Sequence, residues 1–204
     1  CLEFRRVLFR SITATARRVL ARAGLDAVVV EGDGCCGALN HHLGQRATSK
    51  HYATALVQEI DARGTGHAID AVVTTASGCG AVIRDYGFHL SELDAAKSVG
   101  RRTRDIMQVL ASRPLAAGTA HRGTRVAWHA PCSLVHGMKD GATGTALLRR
   151  LGFDVVEPET SMCCGSAGVY DMLQPRIAAE LRDRKARELE ALAPDFIASG
   201  NIGC

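Results

Sequence analysis

The spacing of eight cysteines constrains this chain more than any other feature. They stand at positions 1, 35, 36, 79, 132, 163, 164 and 204. Cys35-Cys36-Gly37 is followed after 42 residues by Cys79, and Cys163-Cys164-Gly165 after 39 residues by Cys204. Upstream, 33 residues separate Cys1 from Cys35 and 30 separate Cys132 from Cys163. The pattern therefore occurs twice, which indicates two structural units built on one plan.

Local patterns repeat with the cysteines. Thr13 to Ala23 has helical character and stops at Gly24, and Leu25 to Glu31 reads as a buried strand leading to Cys35. Ala142 to Leu151 is helical and stops at Gly152, and Phe153 to Glu157 is the strand before Cys163. After each vicinal pair comes a long helix and another strand: His51 to Ala62 with Ala68 to Thr74, then Pro175 to Leu192 with Asp195 to Ala198. Pro175 suits a first helical turn, and Ile177, Leu181 and Leu189 predict the buried stripe of that helix. Strands alternating with helices imply an α/β fold of two pseudo-repeated cysteine-rich domains, each a small parallel sheet flanked by helices. Ligands of such sheets sit at the carboxyl ends of the strands, where the cysteine loops fall. Arg113 to Gly123 is the expected junction, giving domains over 12–118 and 119–204.

Thiolates are soft ligands, and sets of four suit iron–sulfur clusters or zinc. The chain has no C-x-x-C knuckle of the zinc-ribbon kind and no C-x₂-C-x₂-C-x₃-C ferredoxin run. Adjacent cysteines point their side chains apart, so both reach one target most readily when it is larger than an ion. Cluster ligation is thus the leading reading, with zinc, or buried or redox-active thiols, as alternatives. Eight histidines are present; His41 and His42 fall on the expected helix after Cys36, and His129 and His136 flank Cys132. Histidines so placed are more often surface or hydrogen-bonding residues than ligands. There is no G-x-S-x-G, so a hydrolase elbow is not indicated, and no catalytic residue is assigned. A net charge of +4 with basic and acidic residues interleaved, and 4% aromatics, gives no nucleic-acid footprint. No apolar run approaches the roughly 18–20 residues of a spanning helix.

Gly34-Cys35-Cys36-Gly37-Ala38-Leu39-Asn40-His41-His42-Leu43, Thr75-Ala76-Ser77-Gly78-Cys79-Gly80-Ala81 and Cys163-Cys164-Gly165-Ser166-Ala167-Gly168 resemble the cysteine-rich (CCG) domains of glycolate oxidase iron–sulfur subunits. Related domains occur in lactate-utilisation and anaerobic glycerol-3-phosphate dehydrogenase subunits and in heterodisulfide reductase. The likeness runs from about Ile12 to Cys204. It implies that Cys35, Cys36 and Cys79 serve the first domain, and Cys132, Cys163, Cys164 and Cys204 the second, as ligands of an iron–sulfur cluster, of 4Fe–4S type. Residues 1–11 do not look like the family, and its sequences continue past Cys204, so the second domain reads as truncated and the chain as a fragment. The full heterodisulfide reductase motif ends in C-x-x-C; here Ala76 and Asn201 replace the first thiol, as in glycolate oxidase subunits.

The resemblance further implies an electron-transfer subunit of an oxidoreductase complex of glycolate dehydrogenase type. FAD would reside only in a partner flavoprotein that oxidises glycolate to glyoxylate, and a quinone would be an acceptor. The parent's ferredoxin-type modules are missing from this chain. The implied location is cytoplasmic, peripheral on the inner face of the cytoplasmic membrane. Lactate or glycerol-3-phosphate dehydrogenase subunits, or a heterodisulfide reductase-like thiol-redox module, are the alternatives.

Overall fold

The computed structural model describes residues 2–30, 34–64, 68–115 and 121–204, side chains of residues 2–10 excepted. Cys1, Glu31 and the central part of the expected junction lie outside the described residues. Helix α1 (Leu2–Arg22) leads into α2 (Ala38–His42), α3 (Arg46–Arg63), β1 (Val72–Thr74), α4 (Ser77–Arg84), α5 (Tyr86–His89), α6 (Asp94–Arg102), β2 (Thr103–Asp105) and α7 (Ile106–Ala111). The second half runs β3 (Arg125–His129), a π turn (Ser133–Gly137), α8 (Thr143–Arg150), β4 (Asp154–Val156), α9 (Tyr170–Leu173), α10 (Pro175–Glu190) and β5 (Phe196–Ser199). The fold is mixed helix and strand, with small parallel sheets flanked by helices: β1 pairs with β2, and β3 lies between β4 and β5. Among the described residues no helix is long and apolar enough to cross a membrane.

The sequence patterns account for most of these elements. In α3 the buried residues Ala53, Leu56, Val57 and Ile60 recur at helical spacing and pack on Val82, Tyr86 and Val99 of α4, α5 and α6. Burying a leucine of this kind contributes about 1.5–3 kcal/mol. Both expected stops are glycines after a helix: Leu25 N–H donates to Leu20 O, and Phe153 N–H to Leu148 O, each at 3.0–3.2 Å across a six-residue turn.

Three expectations need correction. The segment 25–30 joins no sheet, although a strand was expected there. In the second half β4 pairs only with the central strand β3, and among the described residues no strand precedes Leu25 to play that part. Strand β2 was not foreseen, because Thr103-Arg104-Asp105 reads as polar; Thr103 and Asp105 are nonetheless buried. Ile177 is 50% exposed, and the buried face of α10 runs through Ala178, Lys185 and Leu189. That face is set where the Gly165 backbone seats on Ala178, so the stripe begins one residue later than expected.

The halves are in contact. Leu20, Leu110 and Leu147 form a core shared by α1, α7 and α8, with Val73 of β1 against it. Helix α4 meets the π turn where neither chain carries bulk: a Cβ on Gly137 would lie 2.6 Å from that of Ala81.

Asp105 caps α7 at this junction. Its Oδ1 accepts from Met107 N–H at 2.9 Å, and Gln108 Oε1 accepts from Asp105 N–H at 3.0 Å, completing a capping box. Asp105 Oδ2 is buried with no partner among the described residues. Burial pushes the carboxyl up to about 6, with the charge of Asp140 adding and the Met107 N–H opposing. The folded state thus binds this proton more tightly than the unfolded chain. The resulting stability is fully present below the ordinary carboxyl value and is lost as pH rises through about 6. Asp105→Asn keeps a capping oxygen and removes the titration. Relative to wild type, the variant should gain on the order of 2 kcal/mol between about pH 4 and about pH 7, read from urea unfolding across that range.

Candidate metal centre

The two Cys-Cys-Gly segments fold alike. Gly37 N–H points to Cys35 Sγ and Gly165 N–H to Cys163 Sγ, both at 3.4 Å. Both glycines are left-handed, with φ of 72° and 89°. A Cβ on Gly37 would lie 2.7 Å from Ser49 O of α3, and one on Gly165 would lie 2.6 Å from Ala178 O of α10. Each loop therefore turns back on the helix that follows it, at a distance only glycine allows.

In the second half the parallel order β4-β3-β5 carries the loops holding Cys132, Cys163, Cys164 and Cys204 to one end of the sheet. Cys132 precedes the π turn, in which Met138 N–H donates to Ser133 O at 2.9 Å. The four thiols gather around Cys164: Cys132 lies within interaction distance of Cys163 and Cys164, and Cys163 and Cys204 both lie close enough to Cys164 to share a proton with it. Cys164 is held down to about 6, first by the hydrogen bond from Cys204 and also by Ser166 N–H, against the effect of burial. Cys204 is pushed up by the same bond, and Cys132 by burial and by the charges of Cys163 and Cys164. Among the described residues no three or more Cys, His, Asp or Glu side chains are disposed to hold a metal ion.

In the first half, Cys36 is buried while Cys35 and Cys79 are half-buried. Cys79 lies in the first turn of α4, just after β1. Tyr86, 1% exposed, donates its hydroxyl to Cys36 O at 2.8 Å. Its phenol is raised far above the ordinary value, chiefly by burial and then by Cys36, Cys79 and Cys35, so the three thiols lie near one hydroxyl. None of the seven described cysteines is in a disulfide.

The two sets adjoin. Ser77 N–H donates to Gly200 O at 3.2 Å, and Ser77 Oγ lies 2.8 Å from Ser133 Oγ. These bonds tie the segment before Cys79 to those beside Cys132 and Cys204. His41 and His42 lie in α2 as expected. His41 packs against His89 with the rings tilted by 56° and their centroids 4.4 Å apart, and His42 faces Gly168 of the other cysteine loop. His129 is buried behind Cys132, its basicity lowered first by burial and then by Lys185, while His136 is exposed.

Sequence reasoning missed several supporting residues. Lys185, 3% exposed, donates to Glu188 Oε2 at 2.6 Å and to Thr160 O at 3.2 Å. Thr160 N–H and Oγ in turn donate to Glu188 Oε1, anchoring the strand-to-Cys163 loop on α10. A lysine on the apolar face of α10 was the one available signal. Tyr86 and Ser77 carried none.

The model of the cysteine-rich domain, CCG, matches residues 1–84 and 126–204. The chain belongs to this family. It is 34% identical over 200 residues to the glycolate oxidase iron-sulfur subunit of Escherichia coli K12, covering 94% of this chain and 48% of that protein. It is 29% identical over 198 residues to the probable glycolate oxidase iron-sulfur subunit of Bacillus subtilis 168, covering 92% and 43%. A fumarate reductase (CoM/CoB) subunit of Methanothermobacter marburgensis is 28% identical over 188 residues, covering 88% and 35%. The chain thus spans about half or less of the length of these relatives.

The two glycine seats make a paired prediction. Gly37→Ala and Gly165→Ala should each destabilise by about 1–3 kcal/mol, since each adds left-handed strain and a clash with a backbone carbonyl. Gly34→Ala, where an added Cβ meets nothing within 4 Å, should change stability little. Chemical denaturation of the three variants compares them.

Proposed function

We propose that the chain is the cysteine-rich part of an electron-transfer subunit in an oxidoreductase complex of glycolate dehydrogenase type. Cys132, Cys163, Cys164 and Cys204 would hold one iron–sulfur centre, of 4Fe–4S type, and Cys35, Cys36 and Cys79 would contribute to another. The observation that carries this reading is the convergence of four thiols on Cys164. Four soft thiol donors gathered from three loops suit an iron–sulfur cluster, with zinc as the alternative. Such a centre supplies one-electron relay between a donor and an acceptor.

This chain's own residues do the holding and tuning. Gly37, Gly165 and Ser166 N–H groups aim at sulfur and stabilise its negative charge. Asn201 donates its amide to Cys204 Sγ at 3.9 Å. The Lys185–Glu188–Thr160 clamp fixes the approach to Cys163. Oxidation of glycolate to glyoxylate belongs, in this reading, to a flavoprotein partner carrying FAD, with a quinone as acceptor and a peripheral position at the inner face of the cytoplasmic membrane. The two units divide within 113–123, as 12–118 and 119–204. One observation favours a second reading, a thiol-redox module: a thiol held down to about 6 is largely thiolate at neutral pH.

Iron, acid-labile sulfide and zinc per chain after anaerobic purification test the reading. Several irons with matching sulfide are expected. Zinc without sulfide would overturn it, and absence of both would leave the thiol-redox reading in its place. Cys164→Ser should abolish the paramagnetic signal of the second centre and spare that of the first. Equal loss of both would contradict separate ligand sets.

A further inference from the structure

A cavity of about 760 Å3 opens where the two halves meet and is lined from both. Its charged lining is wholly basic: Arg84 at the end of α4, Lys97 and Arg101 of α6, Arg104 of β2 and Lys139 after the π turn, with Gln108 as a neutral polar group. The chain as a whole carries a net charge of only +4, so five cations around one cavity are a local concentration.

The neighbouring acids offset only part of it, and Asp94 feels the charge of Arg101 as well as that of Lys97. Asp94 pairs with Lys97 at 2.9 Å, but the carboxylate is 96% exposed, and such a pair is weak in water. Asp105 is buried and caps α7, and Asp140 accepts from Thr143 N–H at 3.0 Å. Among the described residues Arg84, Arg101, Arg104 and Lys139 make no ion pair.

Two of the cations are also held in place. Arg84 donates to Met138 O, bridging the halves. Arg104 donates to Arg101 O at 2.7 Å and Thr103 O at 2.9 Å. Lys139 has φ of 56°, a left-handed conformation that costs energy for a residue with a side chain. Unpaired, positioned guanidinium groups match phosphate oxygens in geometry as well as charge, and the volume falls in the range of small-molecule sites.

We propose that this cavity binds a small oligoanion of the phosphate class, a compound bearing two or three linked phosphoryl groups. The site is independent of the metal reading, since none of its residues is a proposed ligand. Isothermal titration of the full chain with tripolyphosphate should give one site whose affinity falls with added salt. Arg101→Ala combined with Lys139→Gly should weaken binding at least about tenfold. Glycine at 139 deletes the cation while relieving the backbone, so an unchanged or raised melting temperature separates lost binding from lost fold. Arg187→Ala, an exposed arginine of α10, should bind as wild type. Absence of binding, or equal binding by the double variant, would overturn the proposal. Citrate binding as tightly as tripolyphosphate would overturn the phosphate class.

Discussion

The structure depends on how each Cys-Cys-Gly backbone seats against the helix after it. At Gly37 and Gly165 the chain reverses in a left-handed conformation and passes a carbonyl of α3 or α10 at a distance that excludes a Cβ. That contact does two things at once. It aims the glycine N–H at the first thiol of the pair, and it fixes the rotation of the following helix, whose small residue, Ser49 or Ala178, must face the loop. The shift of the α10 stripe from Ile177 to Ala178 is the packing consequence of a demand made at the site.

The second constraint is that parallel strands deliver their following loops to one end. In the three-stranded sheet this brings thiols from three separate stretches of chain together without any of them being close in sequence. The price is like charge in a small volume, and the thiols respond by sharing protons, with Cys164 lowered where Cys204 is raised. Outside the thiols, the halves are locked by Ser77 with Ser133 and Gly200, and by the leucines shared among α1, α7 and α8. The two cysteine sets therefore share a hydrogen-bonded boundary.

Much of this was legible in the sequence because period and punctuation are local. The α3 stripe, Pro175 as the first residue of α10, and the stops at Gly24 and Gly152 follow from side-chain spacing and backbone freedom. The pairing of Cys132 with Cys163 and Cys164 was legible from the repeat. What depended on tertiary partners was not. Residues 25–30 have strand composition, but a strand needs a neighbour, and β1 takes β2 instead. Thr103-Arg104-Asp105 lacks apolar residues, yet two of its three side chains are buried by α4 and α7. Tyr86 and Ser77 act through a carbonyl and a hydroxyl far along the chain, which no motif encodes.

Asn201 shows how one position sets the character of a thiol site. It stands three residues before Cys204, the last cysteine of the second set. Its amide donates to Cys204 Sγ, its Oδ1 accepts from Gly203 N–H, and its carbonyl accepts from Cys204 N–H. The side chain thus places a neutral donor beside Cys204 while keeping the local turn closed. A hydrogen bond to sulfur reduces negative charge there, which would favour the reduced state of a cluster held by these thiols. In the first half the corresponding residue is Ala76, which donates no side-chain hydrogen bond and precedes α4 in an extended conformation. The two sets therefore share a backbone plan but differ in the polarity beside their last cysteine, an asymmetry that would separate the potentials of two otherwise repeated centres.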